Sequence, residues 1–364
     1  MVVERGAGPE VVVEVRDPVD GIRGVLVIDR LVRGIAAGGL RIAKNVDREA
    51  LTALAAAMTR KQAAYGIEVG GAKAGLAMDP EHPRRGAILR RFLAVVRPII
   101  ASMWSVGPDV NTSMDELEAC AREVGLPSLK ICVARSREID DATFLRRYGL
   151  FAADVGGWSV NQLRGPAAVK AATLALLDHL GVAAKGARIA IQGAGTMGGG
   201  AAHLLRSAGC TIVGWADARL SLLDPAGLDV PRLLARRDRG YLPDTGAGRP
   251  SRALLTVDCD VLVLTAISDA VDGTDVASLA CRGIVEAANL AVAPSVAAAI
   301  GARGITIVPD VVASAGGSLA VEALYTGDPR RGEDVLAHVE RRAGVAITAL
   351  LEEAAAAGVA VRDL

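Results

Sequence analysis

A chain of 364 residues exceeds the roughly 100–200 of one domain, so two domains are expected. Hydrophobic residues make up 51% and charged residues 23%, which excludes global disorder; with aromatics at 3%, the core must be built from Ala, Val, Leu and Ile. Lys plus Arg and Asp plus Glu balance at 41 each, so the chain as a whole has no electrostatic footprint for nucleic acid or an anionic membrane.

Met1-Val2-Val3-Glu4-Arg5 lacks a basic segment followed by an apolar run and does not read as a signal peptide. Residues 11–16 and 24–29 read as short strands, separated by turns at Asp17-Pro18 and Asp20-Gly21. Asp47 is placed to cap a helix in which Leu51, Leu54, Ala55, Met58 and Gln62 share one face. The stretch from Gly66 to Gly75 is too glycine-rich for regular structure, and a basic amphipathic segment covers about 83–100. Residues 127–165 show no clear period, and Gly156-Gly157 marks the way out of a first domain.

A sharper unit follows. Residues 188–192 are strand-like, Gly193 to Gly200 is a glycine-rich turn, and residues 201–208 are helical up to Gly209, a suitable left-handed stop. Thr211 to Trp215 forms a second apolar strand ending at Asp217, and later strands fit 260–264, 283–286 and 304–308. Strands alternating with helices imply a parallel, doubly wound sheet. The Arg-rich patch at 232–239 reads as a solvated face, and the tail from about 330 to 364 as one helix. The fold class is therefore α/β, with a mixed N-terminal domain over 1–155 and a Rossmann-like domain over 156–324. Five scattered cysteines without a CxxC pair and four histidines without ligand spacing indicate no disulfide framework and no metal site. With no apolar stretch of membrane-spanning length, a soluble, cytoplasmic protein is expected, without a membrane or nucleic-acid partner.

Gly193-Ala194-Gly195-Thr196-Met197-Gly198 is a GxGxxG, a weak signal alone in a chain with 41 glycines. Its place after a strand, opening a helix, inside a βαβ unit of about 30 residues makes it a dinucleotide site. Gly193 permits the tight turn, Gly195 lets the backbone approach a pyrophosphate, and Gly198 allows close helix–strand packing. The helix N-terminus presents free N–H groups to the phosphates. Asp217 follows at the distance of about 20 residues where a carboxylate accepts from the adenosine ribose, which favours NAD over NADP. Arg219 could instead host a 2′-phosphate. The bland alternative is a flexible glycine loop with a solvated aspartate.

Two lysines and an aspartate stand out in the first half. Lys61 lies at i+7 from Leu54 and i+3 from Met58, on the apolar stripe, where an ammonium either snorkels or meets an anion. Lys73, in Gly70-Gly71-Ala72-Lys73-Ala74-Gly75, has no bulky neighbours; burial there would lower its pKa and make it a usable base, and the alternative is a surface loop lysine. Asp109 follows a Gly-Pro turn, where an aspartate is ordinarily a local cap.

In combination these stretches resemble the glutamate/leucine/phenylalanine/valine dehydrogenase family. The matching segments are Gly38-Gly39-Leu40-Arg41, Met58-Thr59-Arg60-Lys61, Gly70-Gly71-Ala72-Lys73 and Gly107-Pro108-Asp109-Val110-Asn111-Thr112. The dinucleotide fingerprint, Glu286-Ala287-Ala288-Asn289, and Pro309-Asp310 leading to Ser314-Ala315-Gly316-Gly317 follow in order. The resemblance implies an N-terminal substrate-binding and oligomerisation domain, completed by the C-terminal helix at about 325–364, and a C-terminal NAD-binding domain. It implies that Lys61, helped by backbone near Gly38 and Gly39, pairs with a substrate α-carboxylate. Lys73 would activate water, Asp109 would move protons on the amine nitrogen, and Asn289 and Ser314 would lie against substrate and nicotinamide. The partners implied are an amino acid, its 2-oxo acid and ammonia, in a homo-oligomer.

Two departures bear on the substrate. Glutamate-specific members carry Lys immediately before the Gly-Gly, where this chain has Ala37; they carry Ser where this chain has Val321. An apolar substrate, as in the leucine and valine branch, is therefore expected. The alternatives are a glutamate dehydrogenase, an enzyme for an unusual amino acid, or a catalytically silent homologue that binds a nucleotide. Ser314 also replaces the usual Asn, and the family's Thr-containing turn has only Asn161 as a nearby polar candidate.

Overall fold

The computed structural model describes residues 8–363, so the leading segment Met1 to Arg5 lies outside the described residues. The chain divides into two units, Met1–Gly149 with Leu324–Asp328, and Leu150–Ala323 with Pro329–Leu364.

The first unit is a mixed sheet with a helix on each face. Its strands are β1 (Val11–Arg16), β2 (Arg23–Ile28), β3 (Ala36–Ala43), β4 (Gly70–Ala77) and β5 (Trp104–Pro108), in the order β1-β2-β4-β3-β5. β2 runs antiparallel to β1 and β4, whereas β3 is parallel to β4 and β5. The helices are α1 (Arg48–Ala64), α2 (Arg85–Ser102) and α3 (Met114–Glu123), then the shorter α4 (Ile131–Arg135) and α5 (Asp141–Tyr148). Period-two alternation sorts the strand residues. Leu26, Leu40, Ala74 and Leu76 join Leu89, Phe92 and Val96 of α2, while Val25 and Val27 meet Leu51 and Ala55 of α1. Asp47 caps α1 by accepting from Glu49 N and Ala50 N.

The Gly66–Gly75 stretch is not irregular. Its second half is β4, paired on both sides in the sheet interior. Glycine is tolerated there because neighbouring backbone comes closer than any side chain allows. A Cβ on Gly70 would lie 1.8 Å from Arg30 O, and one on Gly71 2.2 Å from Ala55 O. Packing overrides local propensity.

The second unit opens with a hairpin, β6 (Asp154–Val155) and β7 (Trp158–Ser159). Gly156 and Gly157, both at positive φ, form its turn, so they do not mark the division between units. Helix α6 (Val160–His179) follows, started by a capping box between Ser159 and Gln162. Buried residues are spread around α6, which packs against α7, α12 and the sheet; that leaves no amphipathic period to detect. The remaining strands are β8 (Arg188–Gln192), β9 (Thr211–Ala216), β10 (Ser221–Leu223), β11 (Cys259–Leu264), β12 (Cys281–Glu286) and β13 (Thr306–Val308). The helices are α7 (Thr196–Ser207), α8 (Val230–Arg236), α9 (Pro294–Gly301), α10 (Asp310–Ala313), α11 (Gly316–Thr326) and α12 (Gly332–Ala357).

The sheet order β10-β9-β8-β11-β12-β13 is parallel except for the β10 edge. β8 has β9 on one side and β11 on the other, so the winding reverses between β8 and β11; ligands of such sheets bind beyond the strand ends at that point. The tail is one long helix, but it groups with the second unit, where α12 packs along α6, and does not complete the first. The apolar face of Val335, Val339, Ala343, Ile347 and Leu351 demands a long partner, which α6 supplies. Among the described residues no helix is long and apolar enough to cross a membrane.

Gly71→Ala should destabilise the protein by about 1–3 kcal/mol in chemical denaturation, because its Cβ would strike α1 backbone. Gly107→Ala, with nothing within 4 Å of its Cβ, should stay within about 0.5 kcal/mol of the parent. Equal stabilities would refute the close-approach account of β4.

Candidate active site

The first unit gathers a buried charge cluster from β3, β4 and the residue that follows β5. Asp109 Oδ2 accepts from Arg41 Nε at 2.6 Å and lies 3.0 Å from Lys73 Nζ. The side chain of Lys73 is 9% exposed and that of Asp109 13%, so little water competes for the pair.

Local sequence explains the aim of Asp109. Thr112 Oγ1 accepts from Asp109 N and donates to Leu40 O at 2.8 Å; Asn111 Nδ2 donates to Ile42 O, and Ile42 N donates to Val110 O. Asn111 takes a left-handed φ of 59°, which Asn tolerates better than most residues. The Asp-Val-Asn-Thr stretch is thus fastened along β3. Gly39 leaves room for it, since a Cβ there would lie 2.9 Å from Asp109 Cβ; one on Gly38 would lie 1.5 Å from Ala72 O.

Burial lowers the pKa of Lys73, with Arg41 pushing the same way and Asp109 opposing. Burial works against ionisation of Asp109, but the charges and hydrogen bonds of Lys73 and Arg41 outweigh it and hold the carboxyl below its ordinary value. With Lys73 protonated, two cations face one carboxylate and the cluster is net positive. Arg41 is the member that sequence reasoning assigned no role, although it stands in the Gly38-Gly39-Leu40-Arg41 stretch, two residues from Gly39 and so on the same strand face.

Lys61 occupies the last turn of α1 and is half-buried. Helix α1 lies on the sheet face to which Gly71 points, and Lys73, two residues on, points the same way. Ala37, on β3, is half-buried.

In the second unit the glycine turn has the geometry its spacing predicts. Gly193 has φ 104°, and its Cβ would meet Thr265 Oγ1 at 2.4 Å, where β8 and β11 part. Gly195 is exposed with nothing within 4 Å of its Cβ, and a Cβ on Gly198 would lie 1.9 Å from Gly193 O. Ala194 is buried, Thr196 exposed and Met197 half-buried, and α7 starts without a side-chain cap. This cradle fits a dinucleotide diphosphate.

Asp217 does not stand free for a ribose. Its Oδ1 accepts from Arg219 N and Leu220 N, and its Oδ2 from Leu242 N at 2.7 Å and Arg219 Nη2 at 3.4 Å. Four donors occupy the four lone-pair sites of a carboxylate. Burial opposes its ionisation, and the backbone N–H groups outweigh burial, so its pKa is lowered. Its role is to tie the 217–220 turn to residue 242. Arg219, 54% exposed, stacks 4.2 Å above the Tyr241 ring instead.

Asn289 is exposed beyond β12, with its backbone oxygen accepting from Ser268 Oγ. Sequence reasoning missed the device that shapes this loop. Glu286, fully buried, accepts from Val292 N at 2.6 Å and from Arg362, which also donates to Val292 O. Burial raises the pKa of Glu286 against the pull of Arg362. Ser314 closes α10 with Oγ donating to Asp310 O, and Val321 is half-buried on α11. Asn161 Oδ1, in the first turn of α6, is buried without a hydrogen-bond partner among the described residues.

A protein-family model described as Glutamate/Leucine/Phenylalanine/Valine dehydrogenase matches residues 159–361, and one described as Glu/Leu/Phe/Val dehydrogenase, dimerisation domain, matches residues 9–125. The chain is 29% identical over 311 residues to a glutamate dehydrogenase of Thermotoga maritima, covering 82% of this chain and 71% of that one. It is 31% identical over 293 residues to the catabolic NAD-specific glutamate dehydrogenase RocG of Bacillus subtilis, covering 78% of this chain and 66% of the relative. The chain thus spans about two thirds of the length of these curated relatives. Among solved structures it is similar to the hetero-hexameric glutamate dehydrogenase of Thermus thermophilus in its Leu-bound form. The TM-score is 0.78 at 26% identity, covering 97% of this chain and 86% of that chain.

Removing Arg41 should move both buried groups in one direction. In Arg41→Ala, Asp109 loses a hydrogen bond and a cation, so its pKa rises; Lys73 loses a repelling charge, so its pKa rises as well. Side-chain NMR titration checks this, and a fall in either value would show that the cluster is not coupled as described.

Proposed function

The chain belongs to the glutamate/leucine/phenylalanine/valine dehydrogenase family, and from that premise we propose that it reversibly oxidises an apolar L-amino acid to its 2-oxo acid and ammonia. The observation that carries this reading is the buried Lys73–Asp109 pair at 3.0 Å beside Arg41. In the forward direction the amino acid, an oxidised nicotinamide dinucleotide and water become the 2-oxo acid, ammonium, the reduced dinucleotide and one proton.

The residue types match the steps. A substrate ammonium must lose a proton before Cα can release hydride, and ionised Asp109 is the base for it. The dinucleotide, when bound, accepts that hydride. Lys73 in its neutral form, made accessible by burial, takes the proton of a water that adds to the iminium carbon. Asp109 then returns a proton to nitrogen, and as the C–N bond breaks and ammonia leaves, the carbinol hydroxyl passes its proton to the Asp109 carboxylate, which forms the 2-oxo carbonyl. Lys61, with backbone near Gly38 and Gly39, is assigned the substrate α-carboxylate. Gly193 to Gly198 are assigned the diphosphate, and Asn289 and Ser314 the nicotinamide side.

Ala37 and Val321 support the apolar side chain. With no donor at either position, a side-chain carboxylate would be buried unpaired, at a cost of several kcal/mol. Glutamate, named in the relatives above, is the competing substrate. The exposed guanidinium of Arg219, which pairs with Asp217 and offsets its charge, supports acceptance of NADP as well as NAD.

Three measurements test this. Lys73→Ala should lower turnover by at least ~10²-fold while binding of the reduced dinucleotide, followed by its fluorescence, is kept. In a panel of L-amino acids, leucine, valine or another apolar member should give the highest kcat/KM; glutamate in first place would overturn the side-chain reading, and no turnover with any member would favour the silent homologue. Arg219→Ala should reduce kcat/KM for NADP by about tenfold and leave that for NAD within about twofold.

A further inference from the structure

The fingerprint accounts for Gly193, Gly195 and Gly198 but not for Gly199, and the Arg-rich patch at 232–239 has no role in the reaction. The two meet at one side chain. Arg232, Arg236 and Arg239 are exposed, as a solvated face requires, but Arg237 is half-buried and folded onto the glycine turn. Its Nη1 donates to Ala194 O at 2.8 Å and to Gly195 O at 2.9 Å. Its guanidinium lies 5.7 Å from the centre of the Trp158 ring, and a Cβ on Gly199 would lie 1.9 Å from Nη1. Arg237 thus fills the space beside Gly199 that a side chain there would take.

Among the described residues Arg237 has no carboxylate partner, and burial pushes its pKa below the ordinary arginine value. A desolvated cation without a counter-ion is costly unless something nearby needs its charge. The third carbonyl of the turn is engaged too: Gly193 O accepts from the indole N–H of the buried Trp215 at 2.8 Å. All three carbonyls, which would repel a phosphate, are therefore held by donors from outside the turn, while the first N–H groups of α7 remain uncapped.

Resting on the dinucleotide reading above, we propose that Arg237 is a positioning residue for the cofactor diphosphate. It holds the carbonyls of Ala194 and Gly195 away from the anion, so that backbone N–H groups face it, and adds an uncompensated positive charge at the turn. Trp215 does the same for Gly193 without the charge.

The test compares ligands with and without phosphate on the full-length protein. Arg237→Met keeps the stem but removes charge and fork; Arg237→Lys keeps the charge but cannot reproduce the fork. Trp215→Phe removes the bond to Gly193 O and keeps an aromatic ring in its place. Affinities for ADP-ribose are read by calorimetry and those for adenosine by ligand-observed NMR, with thermal unfolding to confirm folding. Expected are a loss of about tenfold or more for ADP-ribose in Arg237→Met, a smaller loss in Arg237→Lys, and adenosine affinity within about twofold in both. If Arg237→Met does not fold, Arg237→Lys and Trp215→Phe must still weaken ADP-ribose selectively. ADP-ribose affinity unchanged in the folded variants, or adenosine weakened equally, would overturn the proposal. A parent protein that binds no ADP-ribose would instead overturn the dinucleotide reading, and this inference with it.

Discussion

A carboxylate removed from water stays ionised where cations or N–H donors replace the lost solvent, and at Asp109 this chain uses two cations. Arg41 and Lys73 share one of its oxygens from strands on either side of a parallel pair. Much of the first unit follows from this. β3 and β4 must lie side by side, the loop after β5 must be fastened to β3, and the sheet must stay closed enough to keep water out. Removing Asp109 would leave two buried cations without their shared carboxylate.

Glycine is the means by which these charges come so close. Gly38, Gly39, Gly70 and Gly71 each stand where a Cβ would overlap another backbone segment. A lysine flanked by such residues is shielded by main chain and not by side-chain bulk, which gives desolvation without a bulky apolar lid. The same logic holds in the second unit, where Gly193 and Gly198 let the turn fold against Thr265 and onto itself.

The second unit stores its polar groups differently. Asp217 and Glu286 are buried carboxylates whose lone pairs are filled by backbone N–H groups and one arginine each. Each stands at or just beyond the C-terminal end of a parallel strand and holds a loop in shape. Arg237 is the converse case, a cation satisfied by carbonyls. Both carboxylates thus hold loops in shape at the strand ends.

Local sequence determined a good deal: the Asp47 cap, the alternating strands β1 and β2, the βαβ unit around Gly193 to Gly198 and the long tail helix. Each depends on interactions within a few residues or on a repeat that shows which face is buried. The order of motifs along the chain carried the family and, through it, the roles assigned to Lys61, Lys73 and Asp109. Tertiary structure decided the rest. A glycine run became a central strand because neighbouring main chain needed the space, and α6 stayed hidden because a helix packed on several sides has no polar face. Arg41 joined Asp109, Arg237 left the solvated face and Asp217 was tied to Leu242, because each of these partners lies at least about 20 residues away, where no periodicity reaches.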